Sequence, residues 1–535
     1  MPCFMGIDVG TGSARAGVFY EDGRLLGTGN SDVEVYRDGA DFVEQSSSQI
    51  WSAVGDASRT AIAAAGIAPC EIDGVGFDAT CSLVVLDSSG EPLPVGSSED
   101  QERDIIVWMD HRAVAEAEDI NATNHDVLSY VGGTISPEMQ TPKLLWLKRH
   151  RPKTFAQAGH FLDLTDFLTW KATGSLARSS CTVTCKWTYV AGKGGWNDGF
   201  FRQIGLGELV DEQFRRVGTE IVEPGTRLAQ GVTEEAAEVL GLRPGTAVGA
   251  GLIDAHAGGV GTVGATGLGP VTENMAYVFG TSSCTMTTTS EAVFVPGVWG
   301  PYHSAMIPGM WLNEGGQSAA GAAIDRLIGM HPAAVDAAKV ADQDGKSLPD
   351  WLMDRALMQV GSASDLVDLA DGLHVVPEFL GNRAPHADPR TRAVIAGLDM
   401  DTSLDSLVAL YVAGLCGLGY GLRQIIETQA SEGAPISNVV VSGGAGRNDA
   451  VRQMLADSVG IAVAGPDSEE PVLLGAAMLG ACASGCYSDL AMSMDAMSSV
   501  AKRYAPVAGP TVGKHKQRFA LFVRFQELAR QVAVM

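Results

Sequence analysis

The sequence predicts an α/β protein of two domains built on one plan, and three observations carry that expectation. Its 535 residues exceed the roughly 250 to 300 that a single hydrophobic core holds. Segments with strand periodicity alternate with segments of helical periodicity. A strand, glycine turn, strand arrangement at the start of the chain recurs near its middle.

The first of these arrangements opens with apolar residues 5–9, which lead into Gly10-Thr11-Gly12-Ser13; residues 14–20 then alternate, and Asp22-Gly23 marks a hairpin turn before residues 24–29. Its echo runs through residues 276–279, Gly280-Thr281-Ser282-Ser283 and a β-forming stretch to Thr289. Helices are expected at residues 46–65 and 144–170 in the first half, and at 404–430, 449–459 and 472–483 in the second. Such alternation implies largely parallel sheets covered on both faces. Residues 72–76 and 439–442 read as buried strands, and a final amphipathic helix at 514–534 packs back on the body. The small, Gly-rich stretch 246–264 is the expected crossing between halves, giving domains at 1–264 and 265–535.

Composition excludes several functions. Lys and Arg number 37 against 63 Asp and Glu, a net charge of -26 that repels nucleic-acid backbones and anionic membranes. A small phosphate ligand is still compatible, because backbone N–H groups in a local turn hold phosphate whatever the global charge. The nine cysteines are odd in number and scattered. No C-x-x-C pair occurs, and Cys181/Cys185 and Cys482/Cys486 sit four apart without a neighbouring histidine cluster in sequence. They read as reduced, mostly buried thiols of a cytoplasmic protein. No basic region followed by an apolar stretch opens the chain, so no signal peptide is expected. Residues 472–486 are apolar but fall short of the ~20 residues that a membrane helix needs, and read as a buried helix.

The candidate chemistry lies at strand ends. In Gly6-Ile7-Asp8-Val9-Gly10-Thr11-Gly12-Ser13-Ala14-Arg15, the glycines free backbone N–H groups for a phosphate and Asp8 is placed to hold Mg²⁺ through water. A strand rather than a helix follows, so it is no dinucleotide fingerprint. Gly74-Val75-Gly76-Phe77-Asp78-Ala79 fits G-x-G-x-x-A formally and reads as a strand end; Gly345-Lys346-Ser347 lacks the first P-loop glycine and reads as loop. Residues 439–448 run from a strand through Gly443-Gly444 into a helix, which reads either as a shelf for adenine or ribose or as a strand-to-helix turn that needs glycine for close packing. Asp254 lies between a strand and a helix, where it serves as a helix N-cap or accepts a proton from an attacking hydroxyl. Trp108-Met109-Asp110-His111-Arg112, Thr184-Cys185-Lys186-Trp187 and Glu314-Gly315-Gly316-Gln317-Ser318 combine aromatic faces with charged groups suited to sugar hydroxyls.

Taken in order, these motifs resemble the FGGY family of carbohydrate kinases, most closely its ribulokinase branch. The strings are GIDVGTGSARAGVF, GVGFDAT, WMDHRA, TVTCKW, GLIDAHAGGVG, FGTSSC, EGGQSAAGA, GNRAPHADPRTRAVIAGL and VVVSGGAGRNDAVRQMLAD. The resemblance implies a two-domain actin-like ATPase fold, sugar bound mainly by the first domain, ATP mainly by the second, and a cleft that closes for phosphoryl transfer. Asp254 matches the catalytic base and Asp8 the carboxylate near the metal. Thr11, Gly12, Ser13 and Arg15 fall on the first phosphate loop, Gly280 and Thr281 on the second, and Gly321, Gly444 and Asn448 on nucleotide contacts. Lys186 and Glu314 fall where ribulokinases hold sugar, with Trp108, Asp110 and Arg112 lining the same pocket. Arg112 stands where L-ribulokinases carry a small residue, which tilts the expectation toward D-ribulose; Asp325 stands where glycerol kinases carry Gln. ATP and Mg²⁺ are the implied cofactors, a pentulose or pentitol the partner, and a homodimer is compatible with the sequence. L-ribulose, ribitol, xylulose or erythritol are alternative acceptors. A catalytically silent sugar sensor and an actin- or chaperone-like ATPase are the alternatives of other classes.

Overall fold

The computed structural model describes residues 1–533 apart from Ala40, Ser97 and Glu99. Two sheets repeat one plan. In the first, the order is Ala247–Val248, Ile72–Ala79, Cys3–Val9, Ser13–Tyr20, Leu25–Asp32, with Leu252–Ile253 also paired to Ile72–Ala79. In the second, Ala462–Pro466, Asn438–Ser442, Asn274–Phe279, Ser283–Thr289 and Trp311–Gln317 take the corresponding places, and Trp299–His303 and Val500–Tyr504 extend the two edges.

Largely parallel sheets were expected, and the structure corrects this. The first strand of each sheet is antiparallel to the second, and only the strands reached by a helical crossover are parallel to it. The cause is local: a turn as short as Gly10–Gly12 can only reverse the chain, whereas a parallel neighbour needs a connection long enough to hold a helix. In the first lobe that connection is the helix Ser47–Ala65, which begins at an Ser46 cap and ends on the left-handed Gly66.

The helix expected over 144–170 is broken into Gln140–His150, Pro152–Gln157, the strand Ala158–Asp163 and Leu164–Thr173. Pro152 disfavours helical backbone at Arg151. Beyond it, Phe161 and Leu162 are both fully buried, and their strand pairs with Leu83–Asp87. The other helices form as expected: Leu404–Ser431, Asp449–Val459, Pro471–Ser484 and Pro510–Ala533. Val534, the last residue expected in the final helix, lies outside the described residues. Leu404–Ser431 is long and apolar enough to cross a membrane, yet 72% of its apolar window is buried inside the second lobe.

Helix Pro471–Ser484 comes from the second half of the chain but packs on the first sheet and on helix Asp254–Val263. Glycine makes this possible. A Cβ on Gly6, Gly74 or Gly76 would fall 1.9, 2.1 or 2.0 Å from a carbonyl oxygen of that helix. The Gly74-Val75-Gly76 string is therefore a seat for a helix, consistent with its reading as a strand rather than a dinucleotide loop.

Candidate active site

Three carboxylates meet where strands of the first sheet end. Asp8 stands directly opposite Asp78 on the parallel strand Ile72–Ala79. Leu252–Ile253 pairs with that strand at Asp78 and Ala79, so Asp254 opens its helix beside them. Parallel strands bring their carboxyl ends to one edge, which is why residues far apart in sequence converge. Asp8 accepts from Arg15 Nε at 3.1 Å and from its Nη2, while Arg15 Nη1 reaches Glu470 at 2.9 Å, at the start of helix Pro471–Ser484. Asp78 is fully buried and neither of its oxygens has a donor.

Asp254 is half-buried, and its Oδ1 accepts from the Ala255 amide at 2.7 Å. The cap position belongs to Ile253, so Asp254 does not act as the N-cap. Burial first, then the charge of Asp8, push its carboxyl up to about 7, against the opposing pull of the Ala255 amide and Lys186. That value suits a group that must gain and lose a proton near neutrality.

A second charged cluster lies alongside. Glu314, in the middle of strand Trp311–Gln317, has Arg383 Nη2 at 3.0 Å from Oε1, and His256 Nε2 at 3.3 Å and Lys186 Nζ at 3.6 Å from Oε2. The Trp299 ring lies under both cations, 4.7 Å from Lys186 Nζ and 4.6 Å from Arg383 Cζ. Burial would raise the Glu314 carboxyl, but Lys186, His256 and Arg383 hold it well below the usual carboxylate range. Glu138 faces the same cations and His111, and they keep its carboxyl low despite burial. Cations, carboxylates and an indole face together suit a polyhydroxylated ligand. His256 Nδ1 lies 3.0 Å from Cys181 Sγ, and Cys185 completes a buried group of three. The fold thus brings to Cys181 and Cys185 the histidine that their sequence neighbourhood lacks.

The Trp108–Arg112 segment divides. Trp108 Nε1 donates to Thr11 Oγ1 at 3.0 Å, and the buried Lys143 ammonium anchors the segment by donating to the carbonyls of Val107 and Trp108. Asp110 and Arg112 do not line the pocket, which corrects the sequence expectation. Both side chains are wholly buried. Asp110 accepts from the Val43 amide at 2.6 Å and from Arg112, and Arg112 also reaches Glu44 at 2.8 Å and the Val95 carbonyl at 3.1 Å. The Arg112 guanidinium lies against Phe42 and Trp146, so no face of it is left for a sugar.

The strand ends of the second sheet carry glycine loops. The Gly280 amide donates to Ser282 O at 3.0 Å, as the Gly10 amide does to Ser13 O at 3.0 Å. Thr281 O accepts from the Ala320 and Ala322 amides and Gly280 O from the Gly321 amide, fastening this loop to the start of helix Gly321–Met330. Asn448 caps helix Asp449–Val459 by accepting from the Ala450 amide at 2.9 Å. Asp325 is exposed on its helix.

Whether these residues fit a nucleotide and a cation is tested by what the fold leaves unexplained. A Cβ at Gly12 or Gly444 would meet nothing within 4 Å, and at Gly280 only Ser282 O at 3.7 Å. None of the three has left-handed backbone. Neither a turn nor packing requires glycine there, whereas a phosphate or ribose approaching the bare backbone does. The unpartnered oxygens of Asp78 beside Asp8 suit a divalent cation.

Sequence reasoning passed over Asp78, Glu138, Arg383, Trp299 and Glu470. Asp78 was within reach, because it ends a recognised strand as Asp8 does, and Arg383 lies in the string GNRAPHADPRTRAVIAGL; Glu138, Trp299 and Glu470 belong to none of the quoted motifs.

Paired sheets, glycine loops at the strand ends of one and carboxylates at those of the other define a two-domain phosphotransferase of actin-like architecture. Residues 3–261 match the N-terminal domain, and residues 275–484 the C-terminal domain, of the FGGY family of carbohydrate kinases. The chain is 45% identical over 512 residues to the FGGY carbohydrate kinase domain-containing protein of Homo sapiens, covering 94% of this chain and 92% of that one. It is 38% identical over 512 residues to a D-ribulokinase of Saccharomyces cerevisiae, covering 90% of this chain and 72% of the yeast protein. Its fold is shared by the crystal structure of xylulose kinase from Rhodospirillum rubrum, with a TM-score of 0.81, 19% identity and full coverage of both chains. The chain belongs to the FGGY family of carbohydrate kinases, enzymes that use ATP as phosphate donor.

Proposed function

We propose that this kinase converts D-ribulose to D-ribulose 5-phosphate with ATP and Mg²⁺. The observation that carries the reading is the Asp254 carboxyl, pushed up to about 7 by burial and Asp8, beside the Glu314–Lys186–Arg383 cluster over Trp299. The likeness to the yeast D-ribulokinase selects the acceptor. Arg112 has no part in that choice, since it lies outside the pocket.

In this reading Lys186 and Glu314 hold sugar hydroxyls and Trp108 closes one side. Asp254 takes the proton of the terminal hydroxyl as its oxygen attacks the γ-phosphorus; the new O–P bond forms while the bond to ADP breaks. Backbone amides of Thr11, Gly12, Ser13, Gly280 and Thr281 receive the phosphates, and Gly321, Gly444 and Asn448 contact the nucleoside. Arg15, engaged with Asp8 and Glu470, positions the first loop. Asp8 would hold Mg²⁺, which would supply positive charge to the phosphate oxygens.

The test is a panel of D-ribulose, L-ribulose, ribitol, D-xylulose and erythritol, with ADP release measured for each. D-ribulose is expected to give the highest kcat/KM. A tenfold advantage for another acceptor would reassign the substrate and keep the class.

A further inference from the structure

The two sheets correspond position by position at the edge where the site forms. Strand Cys3–Val9 pairs with Ile72–Ala79, and Asn274–Phe279 pairs with Asn438–Ser442, in the same parallel arrangement. In the first sheet the penultimate residue, Asp8, faces Asp78. In the second the penultimate residue, Val278, faces Ser442. The fold therefore builds this edge without any acid, and Asp78 is not there to make the strand pair.

Its surroundings are costly for a carboxylate. Asp78 is 0% exposed and neither oxygen meets a donor. Asp8 stands opposite it on the adjacent strand, and Asp254 follows the short strand paired at Asp78 and Ala79. Arg15, the nearby cation that draws on it, gives its three donor nitrogens to Asp8 and Glu470. A carboxylate so placed is held neutral by a proton until a cation takes the proton's place.

Resting on the kinase reading, we infer that Asp78 is the second carboxylate for the divalent cation: it and Asp8, from adjacent strands, together form the protein's share of the cation site. The cation supplies the charge that Arg15 does not bring to Asp78. Asp8, already satisfied on one side by Arg15, contributes its remaining valence, and Asp78 contributes both free oxygens. Such a site uses few protein ligands and leaves positions for water and phosphate oxygens, as Mg²⁺ requires.

The experiment uses the full chain and Mn²⁺ as probe, reading free Mn²⁺ by electron paramagnetic resonance with and without a non-hydrolysable ATP analogue. Asp78→Asn is nearly isosteric. It should weaken Mn²⁺ binding at least tenfold in the presence of the analogue, leave metal-free analogue binding within twofold, and abolish the rise in Tm that Mn²⁺ gives the wild type. Because neither Asp78 oxygen holds a protein donor, the variant should leave the metal-free Tm equal or higher, whereas a residue of purely structural role would lower it. Wild-type Mn²⁺ affinity in Asp78→Asn, or a lower metal-free Tm with Mn²⁺ binding intact, overturns the inference. The arm without nucleotide decides separately from the kinase reading. If the analogue does not bind the wild type, that reading fails, while the Asp78→Asn effect on Mn²⁺ alone still supports or overturns the assignment.

Discussion

The edge of the first sheet carries Asp8, Asp78 and Asp254; the same edge of the second carries Gly280, Gly443 and Gly444 and no acid in register. One backbone plan thus serves two chemistries. Under the proposed function, the carboxylates of the first sheet would accept a proton and a cation, and the bare backbone of the glycine loops would accept phosphate and ribose. The Glu314 cluster joins the two sides, since Glu314 comes from the second sheet while Lys186 and His256 come from the first half of the chain.

The comparison breaks most sharply at Asp254. Asp254→Asn should lower kcat by roughly 10³-fold, within the range for loss of a general base, while the sugar KM stays within a few-fold. In the wild type, kcat/KM should fall as pH drops below about 7, because the carboxyl takes up a proton there; a pH profile that keeps this limb in the variant would assign it elsewhere.

Next in size is Glu314→Gln, which strips Lys186 and Arg383 of their shared anion. Breaking a buried pair in this way costs about 3–5 kcal/mol, to be read by denaturant unfolding, with a raised sugar KM in whatever remains folded.

Two glycines sharpen the division. Gly76→Ala sets a methyl 2.0 Å from Ala476 O and should destabilise by about 1–3 kcal/mol. Gly444→Ala meets no atom within 4 Å, should stay within about 0.5 kcal/mol of wild type, and should raise the KM for ATP alone. Paired thermal melts and ATP titrations check both. The smallest functional effect belongs to Arg112→Met. It should lower stability by leaving Asp110 buried without its cation and Glu44 with Arg103 alone, yet change the ranking of acceptor sugars less than twofold.

Much of this was legible in the sequence. Repeated glycine turns announced the duplicated plan, and the helix at Asp449–Val459 was read to the residue because its Asn448 cap and Gly460 end are local signals. The antiparallel half of each sheet was missed, although the hairpin at Asp22-Gly23 already implied it. Arg112 was misplaced for a physical reason. A charged residue beside Trp and Asp reads the same whether it faces a ligand or a buried partner, and Glu44, which decides the matter, lies far away in sequence. Asp78 was read only as part of a strand end, since nothing local distinguishes a carboxylate aimed at a second carboxylate from one aimed at water.

The most direct test of the whole account is phosphorus NMR of the wild-type protein with ATP and Mg²⁺, with and without D-ribulose. The account predicts ADP and a sugar phosphate monoester in equal amounts, with little turnover in the sugar's absence. ADP and inorganic phosphate forming equally with or without sugar, or no reaction in either case, would contradict it.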